Sequence, residues 1–446
     1  MVVYGVVGMR AATPFQRSFL SADSRKLMGI RKVAIACQGG GTHAAFTWGV
    51  LRTILATKKR WDANPQDGDT FKIIAVSGTS AGALCALAAW YGLAPNTSDA
   101  DCGTIDKAIE RLDFLWTTFA ATTPAEAAHN KMVGALLHWK SQGVPFPGSN
   151  PYDTKASLGL TGLSLMGVRH EYLGYPALLK AVCPDFDRID WSRLSRSDLR
   201  IIVGAIEVLS GNFEIFDSDK TLEQMGLLPD GREIDQYDSV RWRMRRSISL
   251  EGVAASGTLP EVLPAQVIRN VTFPTCDDGR IITRTGYYWD GLYSRNPPVR
   301  DLLDAQTPDE KPDEIWIVRI NPQEFTVPSS NISLEDIDDR VNDLSGNLSL
   351  NQELDTIMTI NQWIRKYGND HPPLNTRKIV DVRTIKMTSE TAWGLKHTSK
   401  FDRSPAHFAR LREEGQMVAQ QWLADWRAFG AGFNRYPNDA RYPESA

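Results

Sequence analysis

The sequence predicts an α/β fold with a mainly parallel sheet. Residues 33–37 form a short apolar run, followed by glycines and by a segment, 43–59, whose apolar residues recur at helical spacing. Residues 71–77 repeat the strand pattern and lead into 81–90, which is almost without polar side chains and therefore indicates a buried helix. Two strands joined by a helix form a right-handed βαβ unit, in which the strands are parallel.

The rest of the chain adds strands and helices to this unit. Four more runs of β-branched and apolar residues predict strands at 200–208, 212–217, 313–320 and 380–387. Between 95 and 195 the strand pattern is absent and helical pieces replace it, so we expect a helical cap. Residues 1–30 have no clear periodicity and are interpreted as an arm. After Pro322 the chain is polar and mostly helical, and its last helix has Ser404 as the cap and Pro405 in the first turn.

The composition is that of an ordinary globular protein. Apolar residues make up 42% and charged residues 23%, and the net charge of −3 gives no general attraction to nucleic acid. The basic stretch at 241–247 is interpreted as a solvated helix face. The five cysteines are widely spaced, and no apolar run reaches the roughly 18 residues that a membrane span needs. We therefore expect a cytoplasmic protein with no nucleic-acid partner, whose membrane contact, if any, is peripheral.

A serine lies between two glycines where the second strand meets its helix, in Gly78-Thr79-Ser80-Ala81-Gly82. A serine hydroxyl is a weak nucleophile, so catalysis requires an exposed position, a base and donors for the oxyanion. Small residues at 78 and 82 leave space for a sharp turn, and the helix N-terminus lies beside the developing charge. The motif alone also fits a tight structural turn, but the strand before it and the buried helix after it favour a catalytic elbow.

Three consecutive glycines, Gly39-Gly40-Gly41, follow the first strand. Their backbone amides suit either a phosphate or an oxyanion. A dinucleotide site would need G-x-G-x-x-G with an acidic residue after the next strand, and a Walker loop would need a lysine; the chain has neither. We interpret the glycines as the oxyanion hole for Ser80 and keep a nucleotide-binding module as the weaker alternative.

Asp290 precedes a glycine in the aromatic stretch "YYWDGLYSRNPP". Asp-Gly is most often a turn, but aromatic neighbours partly desolvate a carboxylate and make it a better base. Asp290 is therefore a candidate partner for Ser80. None of the seven histidines lies in an HExxH or Cys/His pattern, so no metal site is expected.

In this order, the motifs resemble the patatin-like phospholipase family. The family has a glycine-rich oxyanion loop, a G-x-S-x-G elbow, an Ala-Ser segment with a downstream proline, here at 254–264, and a final Asp-Gly pair. The resemblance covers about 31–325 and implies a three-layer α/β/α catalytic domain there, with a mainly helical region at 326–446 beyond it. It also implies a lipid or acyl-ester substrate, no cofactor, and a Ser/Asp dyad in which Ser80 is the nucleophile and Asp290 the base.

One departure from the family pattern leaves alternatives open. The family usually has Arg-Gly or Lys-Gly after the glycines, where this chain has His43-Ala44. A binding or scaffold protein with a disabled site is therefore the alternative from another functional class. His371, His397 and His407 follow Asp290, so a Ser-Asp-His triad is the mechanistic alternative. A thioesterase or an acyltransferase would use the same machinery.

Overall fold

The computed structural model describes residues 30–64, 70–95, 102–141, 163, 167–189, 191, 199–219, 243–260, 263–274, 281–304, 307–324 and 334–429. Over these residues the chain forms a nine-stranded mixed sheet with helices on both faces. The predicted α/β/α fold class is confirmed. The predicted arm lies, apart from residue 30, outside the described residues.

The strands and helices are numbered in chain order over the described residues. The strands are β1 (Arg31–Cys37), β2 (Phe71–Gly78), β3 (Arg200–Glu207), β4 (Phe213–Asp217), β5 (Arg243–Ser247), β6 (Gln266–Pro274), β7 (Ile281–Asp290), β8 (Glu314–Arg319) and β9 (Asp381–Lys386). The α-helices are α1 (Ala45–Ala63), α2 (Ala81–Leu93), α3 (Ile105–Phe119), α4 (Pro124–Ser141), α5 (His170–Leu173), α6 (Tyr175–Val182), α7 (Leu250–Ser256), α8 (Leu334–Tyr367), α9 (Ser389–Trp393) and α10 (Pro405–Phe429).

The central part of the sheet is parallel, as expected for strands joined by helical crossovers. Its order is β3-β2-β1-β8-β9, and each neighbouring pair in this set is parallel. Strand β4 pairs antiparallel with β3 and continues to β5, while β7 pairs antiparallel with the far end of β3 and carries β6 as a hairpin. The β1–α1–β2 unit therefore confirms the predicted βαβ unit and brings the ends of β1 and β2 to one edge.

Alternation along the strands divides the core into two layers. Val33, Ile35 and Cys37 of β1 pack into the larger cluster, which includes side chains from α1, α2, α3, α6 and α10. Ala34 and Ala36 point to the other face, which α8 covers. The side chains that α8 buries there are Leu350, Leu354 and Ile357. The sheet is thus covered on both faces, as a parallel sheet requires.

The C-terminal region contributes directly to this core. Strand β9 is the edge strand beside β8, and α10 crosses α1 so closely that a Cβ on Gly49 would meet Arg412 O well under 3.0 Å away. A Cβ on Gly415 would meet Phe46 O in the same way. Two elements that follow the predicted boundary at residue 325 therefore pack on elements that precede it; the boundary itself stays a prediction.

Two details of the sequence interpretation are corrected. The basic stretch at 241–247 is not a solvated helix face: its described part is strand β5, where Arg245 and Arg246 pair with carboxylates of the neighbouring strand. Arg245 lies 2.7 Å from Asp217, and Arg246 donates to Glu214 at 2.7 Å. The β6–β7 hairpin also had no predicted counterpart.

Candidate active site

Ser80 occupies the turn between β2 and α2 in a strained conformation. Its φ is +55° and its ψ is −135°, a region that residues with a side chain rarely adopt and that costs about 1–3 kcal/mol. The turn requires close backbone approach, because a Cβ on Gly82 would meet Cys37 O well under 3.0 Å away, and one on Gly78 would lie 2.6 Å from Gly82 O. Strain of this kind persists only where the surroundings impose it, and it is characteristic of a nucleophile elbow.

The glycine loop lies directly against this serine. A Cβ on Gly39 would be 2.8 Å from Ser80 Cβ, so only glycine fits there. The Gly39 N–H is already engaged, because it donates to Asn296 Oδ1 at 2.6 Å. The amides of Gly40 and Gly41 make no hydrogen bond to any described residue. Of the three glycines predicted as oxyanion donors, these two keep their N–H groups available for a ligand.

Asp290 is the last residue of β7 and is fully buried. It pairs with Ala205 of β3, two residues from Val203, which pairs with Gly78 before the elbow. Its Oδ1 accepts the Leu292 N–H at 2.8 Å, which fixes the carboxylate at the start of the turn Gly291–Tyr293. The following residue connects it to the elbow, since a Cβ on Gly291 would lie 2.9 Å from Thr79 Cγ2. Thr79 Oγ1 in turn donates to Arg295 O. The residues next to Ser80 and Asp290 are therefore in contact.

The end of α7 holds both predicted catalytic residues through their main chains. The Ser80 N–H donates to Ser256 Oγ at 3.0 Å, and the Asp290 N–H donates to Thr258 O at 2.8 Å. Between them, Gly257 packs against the ring of Tyr175, whose Cε2 would be 2.9 Å from an added Cβ. The pKa of Tyr175 is raised to about 12, mainly by burial; Arg403 opposes this shift and Asp290 adds to it. The phenol is therefore neutral at ordinary pH. The Ala-Ser segment is thus a structural part of the site.

A buried network of amide side chains surrounds the glycine loop, and the sequence interpretation missed it. Gln38 Oε1 accepts the N–H groups of Ile320 and Asn321, both at 2.9 Å, and its Nε2 donates to Asn347 Oδ1 at 3.0 Å. Gly39 O accepts from Asn296 Nδ2 and Asn321 Nδ2, each at 3.4 Å. Gln38, directly before the glycines, and Asn296, which follows the Asp-Gly pair, lay in stretches that the sequence singled out, but neither was assigned a role.

The turn His397–Phe401 packs against the glycine loop and the residues that follow it. Thr42 Oγ1 donates to Ser399 O at 2.9 Å, and His43 Nε2 lies 2.8 Å from Ser399 Oγ. The backbone carbonyl of Lys400 packs against Gly41, which has a φ of +57°. Lys400 Nζ donates to Asn321 Oδ1 at 3.2 Å and to Asn342 Oδ1, and lies 3.8 Å from Asp343. A cation from the C-terminal region therefore lies behind the glycine loop.

His43, which follows the glycine loop, carries no positive charge at neutral pH. Burial lowers its pKa well below the ordinary histidine value, and nearby Lys400, His407, His397 and Arg410 lower it further. His407 lies beside His43, with a distance of 5.9 Å between the two ring centroids. His371, by contrast, is exposed in the loop after α8. The imidazole of His43, just after the glycine loop, is consequently neutral.

Neither a metal cluster nor a membrane span is evident among the residues that the structure describes. No group of three or more His, Cys, Asp or Glu side chains is arranged to hold a metal ion there. In the same part of the chain, every helix is too short or too polar to cross a bilayer.

Comparison with known proteins identifies the family. Among solved structures, the chain is similar to VipD from Legionella pneumophila, with a TM-score of 0.33 and 14% sequence identity over 89% of this chain and 67% of that chain. A search of the curated proteins found no match. Residues 35–303, more than half of the 446 residues, match the family described as patatin-like phospholipase. On this match, the chain belongs to the patatin-like phospholipases.

Proposed function

We propose that the protein is a serine acyl hydrolase that cleaves carboxylic esters of lipids through Ser80 and Asp290. Membership of the family supports lipid acyl hydrolysis in general. The observation that carries the specific proposal is the strained Ser80 at the start of α2, with the glycine loop packed against its side chain. A serine needed only for a turn has no reason to keep a costly backbone conformation next to available amides.

In this mechanism each part of the site has one task. Asp290 takes the proton from Ser80 Oγ as the hydroxyl attacks the ester carbonyl. The N–H groups of Gly40 and Gly41, together with the N-terminal end of α2, stabilise the oxyanion of the tetrahedral intermediate. The alcohol leaves with the proton that Asp290 returns, and a water molecule then releases the acyl group from Ser80 by the reverse sequence. The reaction requires no cofactor.

Labelling with a fluorophosphonate tests the proposal. The native protein should be labelled and should hydrolyse a p-nitrophenyl ester, whereas Ser80→Ala should lose both properties and Asp290→Asn should lose at least about a thousand-fold in turnover. Ser77→Ala is the matched control, because Ser77 is also buried, at the end of the same strand, and its Oγ has no hydrogen-bond partner among the described residues. A native protein that stays unlabelled while a known serine hydrolase reacts would contradict the proposal.

The same assay separates the alternatives. A disabled scaffold would show neither labelling nor turnover in any variant. A Ser-Asp-His triad would lose about four orders of magnitude in turnover on replacement of its histidine by alanine, while a dyad would lose little from His371, His397 or His407 beyond any loss of stability. Comparing oxygen esters with thioesters, with and without an acceptor alcohol, then distinguishes a hydrolase from a thioesterase or an acyltransferase.

A further inference from the structure

The Gly39–Gly40 peptide is held from one side by two asparagine amides. Its carbonyl oxygen accepts from Asn296 Nδ2 and Asn321 Nδ2, each at 3.4 Å. In a trans peptide the C=O and the following N–H point in opposite directions, so holding the oxygen of Gly39 fixes the direction of the Gly40 N–H. Without this restraint a peptide between two glycines rotates easily, because neither residue has a side chain that limits its dihedral angles.

Asn321 is itself held at three points. Its backbone N–H donates to Gln38 Oε1 at 2.9 Å, its Oδ1 accepts from Lys400 Nζ at 3.2 Å, and its Nδ2 donates to Gly39 O. Asn321 and Lys400 are both buried, with 3% and 9% of their surfaces exposed. The result is a chain of hydrogen bonds from an ammonium group, through one side-chain amide, to the peptide that carries the Gly40 N–H.

Such a chain strengthens the last donor in it. An amide whose oxygen accepts a charge-assisted hydrogen bond becomes a better N–H donor, and hydrogen bonds in series polarise one another. Lys400 polarises Asn321, and Asn321 polarises the Gly39–Gly40 peptide. The pKa of Lys400 is lowered from the ordinary lysine value by burial, and the carboxylates of Asp343 and Asp339 offset only part of this effect.

We propose that Asn321, supported by Lys400, is a positioning residue that orients and polarises the Gly40 N–H as the oxyanion donor. This inference rests on the proposed function. Both residues lie beyond 303, where the family match ends. They place a positive charge behind the loop, close to His43, which is neutral at ordinary pH. The glycine loop thus receives its electrostatic support from the C-terminal region.

Two aspartate substitutions separate this role from a structural one. Asn321→Asp keeps an acceptor for Lys400 but removes the N–H that is donated to Gly39 O. Asn342→Asp is the matched control, because Asn342 Oδ1 is another acceptor of Lys400 Nζ and the same negative charge is introduced there. Asn321→Asp should lower kcat about ten-fold with KM within about two-fold of the native value, since a donor that acts only in the transition state changes kcat alone. Asn342→Asp should stay close to the native kcat.

The outcomes are distinguishable. The Ser80→Ala variant is measured first: if it keeps the ester hydrolysis of the native protein, the proposed function fails. If that activity depends on Ser80 but Asn321→Asp retains the native kcat, or both aspartate variants lose kcat equally, only the present inference is overturned. Thermal unfolding checks that both variants are folded. If Asn321→Asp is not folded, Lys400→Met replaces it. This variant should lower kcat about three-fold at unchanged KM, because it removes the ammonium group that donates to Asn321; an unchanged kcat overturns the inference.

Discussion

The Ser80 N–H donates to Ser256 Oγ at 3.0 Å, so the end of α7 fixes the backbone of the candidate nucleophile. Two residues later, Thr258 O accepts the Asp290 N–H at 2.8 Å. One short segment of chain therefore sets the position of both predicted catalytic residues. This explains in physical terms why an Ala-Ser segment, far from either residue in sequence, accompanies them.

Replacing Ser256 tests this connection. Ser256→Ala leaves the buried Ser80 N–H without its acceptor, which should lower the free energy of unfolding by about 1–3 kcal/mol and reduce fluorophosphonate labelling. Denaturant unfolding and the rate of labelling measure the two effects. Ser249→Ala is the control: it removes the N-cap of the same helix, where Ser249 Oγ accepts the Gly252 N–H at 3.0 Å, and should cost about 1 kcal/mol without slowing labelling. Equal labelling rates in the two variants would contradict the assigned role.

Gly82 should not tolerate the smallest side chain. Alanine normally stabilises a helix over glycine by about 1 kcal/mol, but at this position its Cβ would collide with Cys37 O. We expect Gly82→Ala to lower the free energy of unfolding by about 1–3 kcal/mol. Gly134→Ala in α4 is the matched substitution, because no atom lies within 4 Å of its Cβ, and it should be neutral or stabilising. Denaturant unfolding measures the stability of both variants. If Gly82→Ala is as stable as the native protein, the prediction is wrong.

His43 should make the fold sensitive to mild acid. Its pKa in the folded protein is lowered, so between pH 7.5 and 5.5 the unfolded chain takes up a proton that the folded protein does not. The contribution of neutral His43 to the free energy of unfolding is therefore fully present above the pKa of the unfolded chain and is lost as the pH falls below it. Between pH 7.5 and 5.5 this loss is at most about 1.4 kcal/mol. His43→Gln should lose correspondingly less stability than the native protein over that range, as measured by denaturant unfolding of both proteins at each pH. Parallel pH curves for His43→Gln and the native protein would exclude this origin.

The crossing of α10 and α1 should depend on Gly415. A methyl group there would meet Phe46 O, a backbone atom that cannot move without displacing α1. Gly415→Ala should lower the unfolding temperature and cost about 1–3 kcal/mol or more. Gly394→Ala, whose Cβ would find its nearest atoms at an ordinary 3.5 Å, should have little effect. If both variants unfold at the native temperature, the two helices are not packed as closely as described.

The sequence predicted those parts of the fold whose signal is local. β1, β2, β3 and β8 are short apolar runs, and each lies where it was expected. Strand β6 was missed because its pairing with β7 shifts register between Ile268 and Val271, at Asn270 with a φ of +56°, which breaks the alternation that identifies a strand. Strand β5 was predicted as a helix face because its arginines looked solvated. Their carboxylate partners lie on β4, about thirty residues away in the sequence, so a local stretch does not reveal them.

The same limit applies to the site. Ser80 and Asp290 lie in motifs, and the structure brings their neighbours into contact; their chemical roles stay predictions. Gln38, Asn321 and Lys400 belong to no motif. The hydrogen bond between Gln38 and Asn321 joins residues 283 positions apart, and such a pairing has no local signature. Only the folded chain brings these polar groups together in a buried place where each needs a partner.

The position of β1 also has a consequence for the order in which the protein is made. β1 is a central strand only because β8 and β9 extend the sheet beyond it, and both are synthesised after residue 303. While the ribosome is still adding them, β1 is an edge with unpaired backbone groups, and the glycine loop has neither Asn321 nor Lys400 beside it. The glycine loop, the elbow and Asp290 are thus all translated before the residues that support the loop. A chain that has not reached residue 400 therefore lacks the hydrogen bonds by which Lys400 and Asn321 hold the Gly39–Gly40 peptide.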